Sequence, residues 1–186
     1  MDLIQTRNPN LFKDAFLETL YSTKKIVTLQ VLSVSGTYPS KVNDQDNFFI
    51  EAKILSDLPD CKGYEVDHEG KPITDERGNK KVITVNATGE IISLPYQLKP
   101  AERQDLYKVS NKTNLFELLN FGFQSKGLVP RGNSQGFDNL SIEEIQEGLT
   151  GVTMKVRAVL HTKTKYTPYL KLTTVTREDI GEEKDC

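Results

Sequence analysis

A chain of 186 residues with 37% hydrophobic content can bury one domain's core, yet no apolar run reaches the roughly 20 residues a membrane-spanning helix needs. A net charge of −2 excludes a uniformly cationic protein, and two distant cysteines, Cys61 and Cys186, argue against a disulfide framework and for a reducing, cytoplasmic compartment. The N-terminus carries Asp2 and no long apolar stretch, so it does not read as a secretory signal.

The first predicted element is a helix over about 9–21. Asn8 can cap it and Pro9 suits its first position. Phe12, Phe16 and Leu20 fall four apart and make one apolar stripe, flanked by Leu17 and Tyr21. Residues 1–24 thus read as an N-terminal helical extension. Strand signals begin at Lys25, where Val27, Leu29 and Val31 alternate with Thr28 and Gln30. A polar loop leads to a second strand, FFIEAKIL, with Phe48, Ile50, Ala52 and Ile54 on one face and Phe49, Glu51 and Lys53 on the other. Residues 56–80 are polar, with turn marks at Gly70-Lys71-Pro72 and Arg77-Gly78-Asn79, and read as an inserted hairpin or mobile loop. The third strand falls in KKVITVNATGEIISL, with Ile83, Val85 and Ala87 inward and Gly89 marking a bend or bulge.

A long connection without strong strand signals follows, holding two short helices. Asn114-x-x-Glu117 resembles a capping box before LFELLNF, with Gly122 as the stop. Ser141-x-x-Glu144 is a cleaner capping box, with Leu140 and Ile145 placed as a hydrophobic staple and Gly148 ending the helix. The Gly- and Ser-rich stretch 122–139 reads as flexible. The last two strands are the clearest. In GVTMKVRAVLH, Val152, Met154, Val156, Ala158 and Leu160 point inward, while Thr153, Lys155, Arg157 and His161 point outward. TKTKYTP is the hairpin loop and YLKLTTV the returning strand.

The order strand, strand, strand, helix, strand, strand predicts a β-rich α+β chain. Its barrel is a five-stranded, OB-fold-like Greek-key barrel over 25–177, with the N-terminal helix in front and short helices between strands 3 and 4. A β-sandwich would need about seven short strands. Enzyme chemistry finds little footing. Cys61 and His68 stand alone in a polar loop, whereas a zinc site needs about four ligands. Asp44 and Asp46 lack the glycine and terminal glutamate of a calcium loop. No phosphate-cradling glycine motif or nucleophile elbow is present. The expectation is a non-enzymatic protein with no metal and no other cofactor.

Charge is unevenly placed. Residues 151–177 carry Lys155, Arg157, Lys163, Lys165, Lys171 and Arg177 and no acid, whereas residues 178–186 carry five acids against Lys184. A basic element meeting an acidic end is the main electrostatic feature. Single strands are held by cations along the phosphates and flat rings under the bases. Lys155 and Arg157 share one strand face and Lys171 extends the row on the next strand. Lys163, Lys165 and Tyr166 sit in the loop between them, Tyr38 and Lys41 in the loop after the first strand, and Phe49 and Lys53 on the outward face of the second.

In strand order, in the closing segment GVTMKVRAVLHTKTKYTPYLKLTTV and in the short acidic end, the chain resembles OB-fold single-stranded DNA-binding proteins of the phage or mobile-element type, over roughly 25–177. The resemblance implies sequence-tolerant binding of single-stranded DNA in replication or recombination, in the cytoplasm (the host's, if phage-encoded), with no membrane partner. It also implies recruitment of replication or recombination proteins by residues 178–186, and a homo-oligomer. The family usually stacks bases on tryptophan, and this chain has none. Its members usually end a longer tail in a hydrophobic residue, where this chain ends Asp185-Cys186. The alternative expectation is a protein-interaction or virion-assembly module on the same barrel, anchored by Phe12 and Phe16 of the first helix.

Overall fold

The computed structural model describes residues 9–69, 71–103, 105–128, 132–133, 136–160 and 168–173, with the side chains of 9–15 and 132–133 left aside. In chain order the elements are α1 (Pro9–Thr23), β1 (Val27–Val34), β2 (Tyr38–Pro39), β3 (Asp46–Ile54), β4 (Cys61–Tyr64), β5 (Val82–Val85), β6 (Ile91–Pro100), β7 (Tyr107–Ser110), α2 (Asn114–Ser125), β8 (Gly132–Asn133), β9 (Gly136–Leu140), α3 (Ile142–Leu149), β10 (Thr153–Val159) and β11 (Tyr169–Leu172). The protein is β-rich α+β, with a mostly antiparallel sheet. Its hydrogen-bonded order is β11-β10-β1-β3-β6-β7-β9-β8, with β2 on β3, and β4 and β5 form a separate two-stranded sheet. That path is open among the described residues, ending at β11 and at β8. No helix among them is long and apolar enough to cross a membrane.

Contacts divide the chain into two units. The first holds Met1–Leu29, Ile54–Ile92 and Met154–Cys186; the second holds Gln30–Lys53 and Ser93–Thr153.

In the first unit, the predicted helix forms and buries Phe16, Leu17 and Leu20. It lies on β4, where the Lys62 N–H donates to Thr19 Oγ1 at 3.3 Å and the Tyr64 hydroxyl donates to Glu18 at 3.3 Å. Asn8, its expected cap, lies outside the described residues. Residues 56–80, expected as an inserted hairpin or mobile loop, supply β4 and the turns of a hairpin whose returning strand, β5, lies beyond them in the predicted third strand. Cys61↔Val85 through Tyr64↔Val82 pair in register, and the bridges Val66↔Pro72 and Thr74↔Lys80 continue beyond. Two aspartates organise its turns. Asp67 Oδ1 accepts from the N–H groups of Glu69 and Lys71, and Asp75 Oδ1 from those of Arg77 and Asn79. The backbone bond from Lys71 holds the Asp67 carboxyl below its ordinary range, because it favours the charged form.

The third predicted strand is two strands rather than one. Gly89 has φ +81°, a left-handed conformation that glycine reaches without steric cost, and the chain turns there. Its N–H donates to the Ile54 carbonyl at 2.8 Å, which sends β5 to the small sheet and β6 to the large one. Val85 and Ala87 are buried as expected, and Ile83 is half-buried. At the end of the chain Met154, Val156 and Ala158 are buried while Lys155 and Arg157 are exposed. Leu160, expected inward, is 37% exposed because β10 ends at Val159 and the alternation stops with it.

In the second unit, the connection expected to lack strands contains the rest of β6, together with β7, β8 and β9. The region read as flexible holds the end of α2, β8 and most of β9, and residues 129–131 and 134–135 lie outside the described set. α2 is capped one residue earlier than expected: Thr113 Oγ1, not Asn114, accepts from the Phe116 N–H at 3.1 Å. Gly122 does not stop that helix, which continues to Ser125, and Gly148 does not end α3. Both glycines are buried for packing. A Cβ on Gly122 would lie 2.3 Å from the Gly148 carbonyl oxygen, and one on Gly148 would lie 2.5 Å from the Phe123 ring. The Ser141 capping box is present, with Leu140 and Ile145 buried beside it. The Lys126 ammonium donates to the carbonyls of Glu147 and Thr150, at the end of α3 where a cation is favoured.

Candidate nucleic-acid interface

The first unit presents a basic face on β10 and β11. The register sets Arg157 opposite Lys171 and Val159 opposite Tyr169, with inward Ala158 opposite Leu170 between them. Beyond them the Thr173 N–H donates to the Lys155 carbonyl at 3.1 Å. Side chains alternate between faces along a strand, so Lys155, Arg157, Lys171 and Tyr169 stand on one side. Lys155 and Arg157 are exposed, and Lys171 and Tyr169 half-buried. Neither β10 nor β11 contains an acid. The structure thus brings together three of the expected cations. It adds Tyr169, a ring that sequence reasoning passed over. The signal was available, since Tyr169 and Lys171 lie two apart in YLKLTTV. Lys163, Lys165 and Tyr166 lie outside the described residues.

The second unit holds the other expected residues. Tyr38 on β2 is 44% exposed, and its ring meets that of Phe49 on β3 at 6.1 Å with a 60° tilt. Lys41 is exposed in the loop that follows β2. Lys53 is exposed on the same side of β3 as Phe49. Glu51 stands between those two, accepting from the Ser33 hydroxyl at 3.4 Å. The acid lowers the positive potential on that face of β3, so the structure joins Tyr38 with Phe49 but does not make one basic row with Lys53.

Two phenols of the second unit serve packing. Tyr96 lies against Phe48 with ring centroids 5.8 Å apart, and burial pushes its hydroxyl far above the ordinary phenol range. The Tyr107 hydroxyl donates to Asp46 Oδ2, and Thr37 Oγ1 lies 3.3 Å from that hydroxyl. Desolvation, and then the bond to Asp46, raise its pKa.

The second unit also contains a cleft of about 720 Å3, lined by residues of β6, β7, β9 and the turn into α2. Lys99, Lys108 and Lys112 line it, none of them among the residues expected from sequence. Nothing in the sequence groups them, because they lie apart in the chain and only strand pairing brings Lys99 opposite Lys108. Among the described residues no three His, Cys, Asp or Glu side chains come together to hold a metal ion. Cys61 is buried, and its thiol lies 3.5 Å from the Lys62 carbonyl oxygen.

Comparison of the chain with known protein families, with curated proteins and with solved structures finds no match in any of the three.

Proposed function

We propose that the protein is a non-enzymatic binder of single-stranded DNA, acting in replication or recombination, on an OB-like barrel. The observation that carries this reading is the acid-free face of β10 and β11. There Lys155, Arg157 and Lys171 stand beside the Tyr169 ring. Cations track phosphates and a ring accepts any base, so the pairing predicts tolerance of sequence. The barrel reading is supported by strand order. β10-β1-β3-β6 is the 4-1-2-3 order of a Greek key, with α2 and α3 in the long return between β6 and β10.

The test is fluorescence anisotropy with a labelled oligo-dT strand at low salt. The wild type is expected to bind, and Lys155→Ala with Arg157→Ala to weaken binding at least about tenfold, since each lost charge-assisted contact contributes on the order of 1 kcal/mol. Absence of wild-type binding at tens of micromolar protein would overturn the reading. The alternative reading, a protein-interaction module anchored by the first helix, loses one of its anchors. Phe16 is 0% exposed inside the first unit.

A further inference from the structure

We infer that the cleft in the second unit is a phosphate-binding site for a nucleotide, either free or carried in a strand. It is separate in its residues from the β10–β11 face. Its wall is built from an arrangement that is unfavourable by itself. Lys99 on β6 and Lys108 on β7 are register partners, both exposed and both facing the cleft. Like charges directly opposite each other on an antiparallel pair are destabilising. Among the described residues neither has an ion pair. An anion between them turns the repulsion into attraction.

The rest of the cleft is fixed before any ligand arrives. Lys112 sits in a turn held by its own N–H donating to Ser110 Oγ at 3.2 Å and by the Thr113 hydroxyl donating to the Ser110 carbonyl at 2.7 Å. Gln97 donates to Asn47 at 3.0 Å and accepts from Asn43 at 3.4 Å, so its amide is oriented. Phe137, which lines the cleft, is buried against Phe116 at 4.8 Å and Phe123 at 5.5 Å. An apolar wall lowers the local dielectric and strengthens the pull of the ammonium groups. Asp138 also lines the cleft and offsets one of the three lysines, leaving cations in excess. The volume of about 720 Å3 falls in the range of small-molecule sites and leaves room for a sugar and base beside the phosphate.

The experiment uses the full chain, wild type and a Lys99→Gln, Lys108→Gln double variant, with two probes. Thymidine monophosphate is titrated by calorimetry, and labelled oligo-dT by anisotropy across a salt series. The variant is expected to bind thymidine monophosphate at least tenfold more weakly. If a strand phosphate occupies the site, its log–log salt slope for oligo-dT also falls by about 1.4, at roughly 0.7 per phosphate. The variant should melt at or above the wild-type temperature in low salt, because it removes a repulsive pair; a lower melting temperature would contradict that premise. A Lys155→Ala, Arg157→Ala variant should bind oligo-dT at least tenfold more weakly and keep thymidine monophosphate, which separates this site from the β10–β11 face. Equal binding of both probes by wild type and the Lys99/Lys108 variant, or binding of neither probe by wild type, would overturn the inference.

Discussion

Arg157 and Lys171 stand opposite each other on β10 and β11, as Lys99 and Lys108 do on β6 and β7. Like charges so placed both attract a phosphate and are screened as salt rises. Arg157→Gln should therefore lower oligo-dT affinity, most strongly in low salt. An unchanged affinity would remove Arg157 from the interface. The buried phenols give a second residue-level expectation. Tyr107→Phe removes the bond to Asp46 and should cost about 1–2 kcal/mol in urea unfolding. Tyr96 and Tyr107 both have raised folded pKa values. The unfolded chain releases these protons near pH 10, before the folded one does, so their stabilisation is complete below that pH and is lost as pH rises through the folded values. A tyrosinate absorbance titration compared with Tyr96→Phe and Tyr107→Phe variants should show both phenols ionising late, together with alkaline unfolding. Tyr96 and Tyr107 titrating near pH 10 in a folded chain would contradict their burial.

Between elements, α2 and α3 cross with their backbones close together. Gly122→Ala would drive a methyl into the Gly148 carbonyl and should cost about 1–3 kcal/mol in urea unfolding. Ser141→Ala, which removes the cap of α3, should cost about 1 kcal/mol in the same measurement. These residues also show what the sequence made legible. The Ser141 box and the alternating runs of β1, β3 and β10 are local patterns, and all were readable. Gly122 and Gly148 were read as helix stops because a glycine needed for close packing looks the same in sequence as one needed to end a helix. β6 was cut short because Pro95 and Pro100 interrupt its pattern, although both residues are exposed in the strand. β7 was missed because an alternation of only four residues does not stand out, and β9 because its five residues do not alternate and Asn139 has φ +59°. The lysine cleft follows from the pairing of those unread strands, so it had no sequence signature. The β10–β11 face was legible because it lies in one contiguous basic segment.

For the molecule as a whole, net charge says little and local charge says more. A chain of −2 carries an acid-free basic face on one unit and a lysine-lined cleft on the other. Both are arrangements that anions stabilise, and both would be screened in salt. We propose that the β10–β11 face holds the phosphates of a single strand. The direct test is the affinity for oligo-dT measured from low to physiological salt, for wild type and for a Lys155→Ala, Arg157→Ala, Lys171→Ala variant. Wild-type affinity should fall steeply with salt, and the variant's log–log slope should be shallower by about 2, at roughly 0.7 for each of three phosphates. A wild-type affinity that does not change with salt, or a variant with the wild-type slope, would contradict it.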